Sequence, residues 1–373
     1  MMALDPTARI ALAKGHDAGQ IAEAAVDMLA LKGAGGTLGF VYATDSLRAR
    51  LQVVVTRLQE LTGVEDWVGT VGFGVMAGRQ AAFDEPAIAV MLTSWPKQHY
   101  KLFQGNQRID GLAATAGPMS GTVTAIVHAD PRNHRFLGLL QTLSATTGAY
   151  LMGGITASRN GYCDQVAGSF AEAGISGVLL DPAIGMAVGV SQGCTAAGPV
   201  RTVTAGERNV ILELDGMPPL EALFRDLHLA RADGIDALYG ALETLHVALL
   251  VPNCDTGDYL VRNLAGIDTE TGVIAIGDRA EPGQKLFFAR RDREAAASDL
   301  KAMARKVRAR AGAMSGAFYV SCCGRGPHLF RSAEEEIGLV QDALGGVPLA
   351  GFYANGEIAG ERIYGYTGVL AAF

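Results

Sequence analysis

Two short stretches near the C-terminus hold the residue types from which a binding site could be built. In "SCCGRGP" (Ser321–Pro327), Gly324 and Gly326 flank Arg325. Glycines so spaced let successive backbone N–H groups turn inward as an anion-binding nest. Arg325 could add a bidentate contact to a carboxylate or phosphate. The same spacing also suits a plain tight turn with Arg325 in solvent. Cys322 and Cys323 precede the glycines, and as strand neighbours they point to opposite faces, so at most one faces a crevice. A nearby arginine and a helix N-terminus would favour its thiolate, but the sole local base is His328. In "YANGEI", Asn355 can donate and accept, while Glu357 can bind an amine or pair with an arginine. Asn355-Gly356 is equally a favoured hairpin dipeptide.

Elsewhere the candidates thin out. The loop Val190–Thr204 is rich in Gly, Ser and Thr and carries Arg201, which could line a pocket from the other half of the chain. Arg262 is a lone charge between apolar residues and needs a partner if buried. His128 and His134 flank the turn "HADPRNH" and are candidates for a metal or haem ligand. The seven histidines form no HExxH and no Cys/His zinc spacing. No G-x-G-x-x-G opens a helix, and no G-x-S-x-G or clustered carboxylate pair occurs, so an enzyme reading lacks a motif.

The elements that would position these residues repeat three times. The first unit has a strand at Leu38–Ala43, then a helix with Leu47, Leu51, Val54, Val55, Leu58 and Leu61 on one stripe, stopped by Gly63. "WVGTVGFG" and the strand "AIAVMLTS" follow. The second has "GTVTAIVHADP", a helix with Phe136, Leu139, Leu140 and Leu143, then "AYLMGGITAS" and "SGVLL". The third has "SGAFYVSCCGRGP", a helix opened by a Ser332/Glu335 capping box, "PLAGFYANGEI" and "GYTGVLAAF". Gly69, Gly154 and Gly351 take equivalent places, and three such matches point to duplication. The expected fold is α/β, with pseudo-repeated strand-helix-strand-strand units forming mixed sheets flanked by helices. A β-helix-β crossover leaves its strands parallel, so "CCGRGP" and "YANGEI" must meet at one sheet edge, where open α/β sheets bind ligands.

Between the second and third units, "AIGMAVGVSQG" reads as a strand pair, "RNVILELDG" as a strand, and Pro218-Pro219 as a helix start. "GVIAIGD" and "KLFFARRD" read as strands and Glu294–Ala311 as a helix. A soft boundary near Gly198 divides the chain into residues 1–198 and 199–373.

The bulk properties exclude more than they assert. A net charge of −7 speaks against a nucleic-acid surface, and the basic run Lys301–Arg310 reads as a solvated helix face. Five cysteines without regular spacing make no disulfide framework, which suits a reducing, cytoplasmic setting. The N-terminus shows no signal-peptide pattern. Phe136–Ser158 is long enough to span a bilayer, yet Gln141 and its Gly, Ser and Thr residues argue against insertion.

"LAGFYANGEI" followed by "GYTGVLAAF" resembles the closing signature of the FIST domain family. "SCCGRG", "YLVRNLAGIDTETGVIAIGD", "VGVSQGC" with "GPVRTVT", and "ILELDG" are similar to its other recurring stretches. "YLMGGITAS" matches the N-terminal half, except that Ala157, Ser158 and Arg159 stand where the family has Ala-Gly-Glu. The resemblance implies a FIST N-terminal domain over 1–198 and a FIST C-terminal domain over 199–373, in a stand-alone form. It implies an intracellular sensory module that binds a small ligand such as an amino acid and signals to a separate protein. No cofactor is expected, although some members resemble haem-binding nitric-oxide sensors. Cys322, Cys323, Gly324, Arg325, Gly326, Asn355, Glu357 and Arg201 are then the ligand-binding candidates. Two alternatives remain, a haem or redox sensor and a thiol-dependent enzyme using Cys322 or Cys323.

Overall fold

The computed structural model describes residues 8–31, 35–47, 50–105, 123–171, 174–229, 238, 240, 242, 244–251 and 258–373. Two compact units emerge, Met1–Gln192 together with Asp299–Phe373, and Gly193–Ser298. The third repeat therefore folds with the first two, and the stretch between them in sequence forms a unit of its own. The fold is α/β, with six helices and four multi-stranded sheets among the described residues.

In the larger unit each repeat founds one six-stranded sheet. Its first and second strands are parallel: Leu38–Thr44 with Asp66–Gly72, Thr124–Ala129 with Tyr150–Ile155, and Ala317–Cys322 with Leu349–Ala354. The helices Leu51–Thr62, Phe136–Thr147 and Ala333–Leu344 make the crossovers, each closed by a left-handed glycine, Gly63, Gly148 or Gly345. A closing strand returns antiparallel to the first: Ala87–Thr93, Ile175–Leu180 and Gly368–Ala372.

The hairpin between second and closing strand does not stay at home. Gly74–Ala77 of the first repeat pairs with the third repeat's Leu349–Ala354. Gln165–Ala167 of the second pairs with the first repeat's Asp66–Gly72, and Glu357–Ala359 of the third with the second repeat's Tyr150–Ile155. Asn355-Gly356 is consequently no hairpin turn, as its Asn-Gly type suggested. It carries the chain from one sheet to the next, with Asn355 N–H donating to the Ile155 carbonyl (3.1 Å) and Ile155 N–H to Gly356 (2.8 Å).

One glycine per repeat is imposed by this pairing. A Cβ at Gly69, Gly153 or Gly351 would lie 1.7, 1.9 or 1.7 Å from the carbonyl oxygen of Val41, Val127 or Tyr319. These residues face one another in the parallel registers, so the second repeat's equivalent glycine is Gly153, one residue before the Gly154 that spacing suggested. "AIGMAVGVSQG" also differs from the expected strand pair: a short 3-10 turn, Pro182–Ile184, precedes a single strand, Ala187–Ser191.

Because helices cover the outer faces and the other sheets the inner ones, the central strands are buried on both sides. Val41 and Ala43 pack outward with Leu51, Val54, Val55 and Leu58 of the crossover helix. Phe40 and Tyr42 point inward, where Phe40 meets Phe318 (4.5 Å between centroids) and Tyr42 stacks on Phe352 (4.8 Å). No described helix is long and apolar enough to cross a membrane, and Phe136–Ser158 divides into a helix and a strand. In the smaller unit, a seven-stranded antiparallel sheet and the helix Pro219–Asp226, with proline in its first turn as expected, enclose a separate core.

The inner layer contains one discordant residue. His128 occupies the position equivalent to Tyr42 and Val320, edge-on to Tyr42 and Phe352, and neither ring nitrogen has a hydrogen-bond partner among the described residues. Burial pushes its pKa down from 6.5 to about 3. The unfolded chain therefore binds the proton that the folded chain refuses, and stability is lost as pH falls from 6.5 towards 3. His128→Phe should stabilise the protein by about 1–3 kcal/mol at neutral pH, with a gap that widens on acidification. Thermal unfolding across pH checks this; a destabilised variant with an unchanged pH slope would contradict it.

Candidate functional site

The parallel register sets Cys322 beside Ala354, and Cys323 N–H donates to the Ala354 carbonyl (2.8 Å). "CCGRGP" and "YANGEI" thus meet at one sheet edge, as the crossover argument requires. Beyond Cys323 the chain turns sharply, with Arg325 N–H donating to the Cys322 carbonyl (2.8 Å) and Gly326 in the left-handed region (φ 50°). Gly326 must be glycine on packing grounds too, since a Cβ would sit 2.9 Å from the Tyr353 ring.

The turn does hold an anion, and the protein supplies it. Glu336, on the crossover helix Ala333–Leu344, accepts from Arg325 Nε, Tyr319 Oη and Ser321 Oγ at Oε1 (2.8 Å each) and from Gly326 N–H at Oε2 (2.9 Å). Arg325 and Glu336 are both 0% exposed, so this is an interior ion pair and not a surface one. Burial by itself would pull the Arg325 guanidinium down, but its interactions with Tyr319 and Glu336 reverse this and keep it protonated. The residue-level signal for Glu336 was present: it shares the buried stripe of Ala333, Ile337, Val340 and Leu344. Glu335, by contrast, caps: its N–H donates to Ser332 Oγ (3.2 Å), and its carboxylate accepts from Arg331 N–H (2.6 Å).

Three buried polar atoms around this edge have no hydrogen-bond partner among the described residues: Tyr353 Oη beside Gly326, Arg325 Nη2 and Glu357 Oε1. Arg325 Nη2 has no acceptor, while Nη1 lies 3.5 Å from the Tyr366 carbonyl oxygen. Glu357, also 0% exposed, accepts at Oε2 from Thr367 N–H (3.2 Å) and Oγ1 (2.6 Å), and its Oε1 has no donor. Both side chains therefore flank the single peptide that joins Tyr366 to Thr367. Burial first, and then the neighbouring Cys322, hold the Glu357 carboxyl well above the usual carboxylate range. Tyr366 covers the edge from a left-handed backbone (φ 60°), its ring against Gly324, where a Cβ would come within 2.9 Å.

The cysteines divide as their alternation requires. Cys322 is buried, and its hydrogen bond to Cys323, then burial, raise its thiol. That same hydrogen bond holds Cys323 below the ordinary thiol range, and Cys323 Sγ is half-buried, 4.0 Å from Oδ1 of the exposed Asn355. His328 is exposed with its ring edge-on to Phe83, so no Cys/His pair forms with it.

The remaining candidates lie apart. Arg201 belongs to the smaller unit, where Nε donates to Asp226 (2.7 Å), Nη2 also pairs with Asp226, and Nη1 donates to Asp215 (3.1 Å). Arg262, in the same unit, has its partner in Asp278 (2.7 Å). Arg159, standing in place of the family's glutamate, pairs with Asp45 and Asp84 and lies over the Phe73 ring. Of the two histidine candidates, His128 is buried against the Tyr42 and Phe352 rings, and His134 is exposed.

Two outcomes follow from this geometry. Glu336→Ala strands a buried guanidinium and should cost about 3–5 kcal/mol in urea unfolding, against about 1 kcal/mol or less for the partly buried cap Glu335→Ala; equal losses would refute the clamp. Iodoacetamide followed by peptide mapping should modify Cys323 before the buried Cys322 and Cys163, and a faster Cys322 would contradict the burial order. Cys254 lies outside the described residues.

Comparison with known proteins agrees with the sequence signature. Residues 37–217 match the FIST N domain and residues 220–360 the FIST C domain. An uncharacterised protein of Mycobacterium tuberculosis (strain ATCC 25618 / H37Rv) is 33% identical over 326 residues, spanning 82% of this chain and 83% of that protein. An uncharacterised protein of Mycobacterium bovis (strain ATCC BAA-935 / AF2122/97) is 30% identical over 326 residues, 82% of each. FIST domains are associated with signal transduction and small-ligand sensing. With both domains matched over most of its length, the chain belongs to the FIST domain family.

Proposed function

We propose that this protein is a sensory module whose ligand is a small zwitterion, an amino acid, taken up at the edge formed by Cys322–Gly326 and Asn355–Glu357. One observation carries the reading: a buried donor, Arg325 Nη2, and a buried acceptor, Glu357 Oε1, lie without partners on either side of one peptide. Buried polar atoms are nearly always hydrogen-bonded, and orphans call for a partner. A carboxylate on Arg325 and an ammonium on Glu357 would satisfy both at once. Glu336 keeps the guanidinium in place with Nη2 free, so the ligand meets a group already oriented.

Tyr366 is the cover that must move for entry, with Cys323 and Asn355 at the rim. Its neighbour Thr367 accepts from Cys322 N–H (3.0 Å) and leads directly into the closing strand Gly368–Ala372. Ligand contact with Glu357 therefore bears on a strand paired on both sides, by Ala187–Ser191 and Ala317–Cys322, which is the route from binding to a signal read by a separate protein. Among the described residues no histidine pairs with Cys323, which favours binding over thiol chemistry.

Calorimetric titration of the standard amino acids, with their N-acetyl and amide derivatives, tests the reading. A free amino acid that binds should lose at least about tenfold in affinity when either end is blocked, and likewise in Glu357→Gln. Because the empty Glu357 favours its neutral form and an ammonium requires the ionised one, binding should release a proton and tighten as pH rises from weakly acidic values. Equal affinity for blocked and free forms, or a pH dependence of opposite sign, would overturn the proposal.

A further inference from the structure

The helix Arg293–Ala311 holds a second feature that the ligand site does not use. Its residues Lys301–Arg310 carry five cations and no carboxylate, in a chain whose net charge is −7. Leu300, Met303, Ala304 and Val307 are buried, which turns Lys301, Arg305 and Arg308 outward. These three line a groove of about 700 Å³ whose opposite wall is Leu339, Asp342 and Ala343 of the crossover helix Ala333–Leu344.

The charge in the groove is largely uncompensated. Its one carboxylate, Asp342, is engaged by Arg79. Arg308 is held in place, with Nη1 donating to the Ala343 carbonyl (3.2 Å). Lys301 and Arg305 have no ion-pair partner among the described residues. At about 1.5 Å rise per residue, Lys301 to Arg305 spans about 6 Å of helix axis and Lys301 to Arg308 about 10.5 Å. A single phosphate can be shared by the neighbours Lys301 and Arg305, whereas a run of carboxylates can answer all three positions.

We infer that this groove docks an acidic polypeptide segment of a partner protein. Carboxylates four residues apart on a helix repeat at about 6 Å, matching the Lys301–Arg305 step. Leu339 and Ala343 offer apolar wall for side chains between those carboxylates. A nucleic acid fits less well, because its phosphates would extend beyond one groove over a surface whose net charge is negative. Complementary charge of this kind sets encounter rate and partner choice more than raw affinity.

Fluorescence anisotropy tests the inference with a labelled helical peptide carrying glutamates four residues apart, at low ionic strength. The wild-type chain should bind it, the affinity should fall as salt is added, and Lys301→Glu with Arg305→Glu should weaken it at least about tenfold. Both side chains are exposed, so the melting temperature of the variant should match wild type and report that it is folded. No binding by wild type, undiminished binding by the folded variant, or equal binding of a duplex oligonucleotide at the same salt would each overturn the inference. Competition by free pyrophosphate at concentrations comparable to the peptide would do the same, by showing a small-anion site.

Discussion

The exchange of hairpins among the three repeats is the constraint on which the larger unit depends. A parallel strand pair with a returning third strand leaves an open edge of unpaired N–H and C=O groups. In each sheet that edge is closed by a hairpin from another repeat: the second repeat closes the first sheet, the third closes the second, and the first closes the third. No repeat completes its own sheet, so the third one, though separated in sequence, belongs with the first two. The links between second strand and donated hairpin must cross from sheet to sheet. Asn355-Gly356 is such a crossing, which is why Glu357 arrives beside a strand of the second repeat while remaining close to its own Cys322 and Thr367.

Much of this was legible in the residues, and the misses have physical causes. Helix stripes, glycine stops and the parallel pairing all follow from local periodicity and chain connectivity, which sequence carries directly. The exchange does not, because Glu357–Ala359 and Arg362–Tyr364 look like any hairpin arm, and only tertiary contact decides which sheet receives them. The same limit explains Asn355-Gly356, whose dipeptide type fits a turn and says nothing of where the flanking strands pair. For the site, the chemistry of "CCGRGP" was readable as an anion-holding turn, but not the identity of the anion. Glu336 lies ten or more residues away along the chain and reaches the turn only through the crossover.

The interior charges then separate into two kinds. Glu336 is saturated by four donors and fixes the turn, Tyr319 and Ser321 in one network, a structural role for which its burial is compensated. Arg325 Nη2 and Glu357 Oε1 are left uncompensated by the same fold. Burial of a carboxyl without a full set of donors favours its neutral form, and a ligand that brings a positive charge reverses that preference. A site of this sort is quiet when empty and polar when filled.

The protonation of Glu357 is thus the most direct measure of the account. Carbon-detected NMR of protein labelled at the glutamate side-chain carboxyls, assigned through Glu357→Gln, reads it without reference to activity. The account predicts that Glu357 in the free protein holds its proton well above the usual carboxylate range, and moves to the ionised position when a bound amino acid is present. A Glu357 that titrates in the usual carboxylate range in the free protein, or one whose titration does not move when an amino acid is bound, would contradict it.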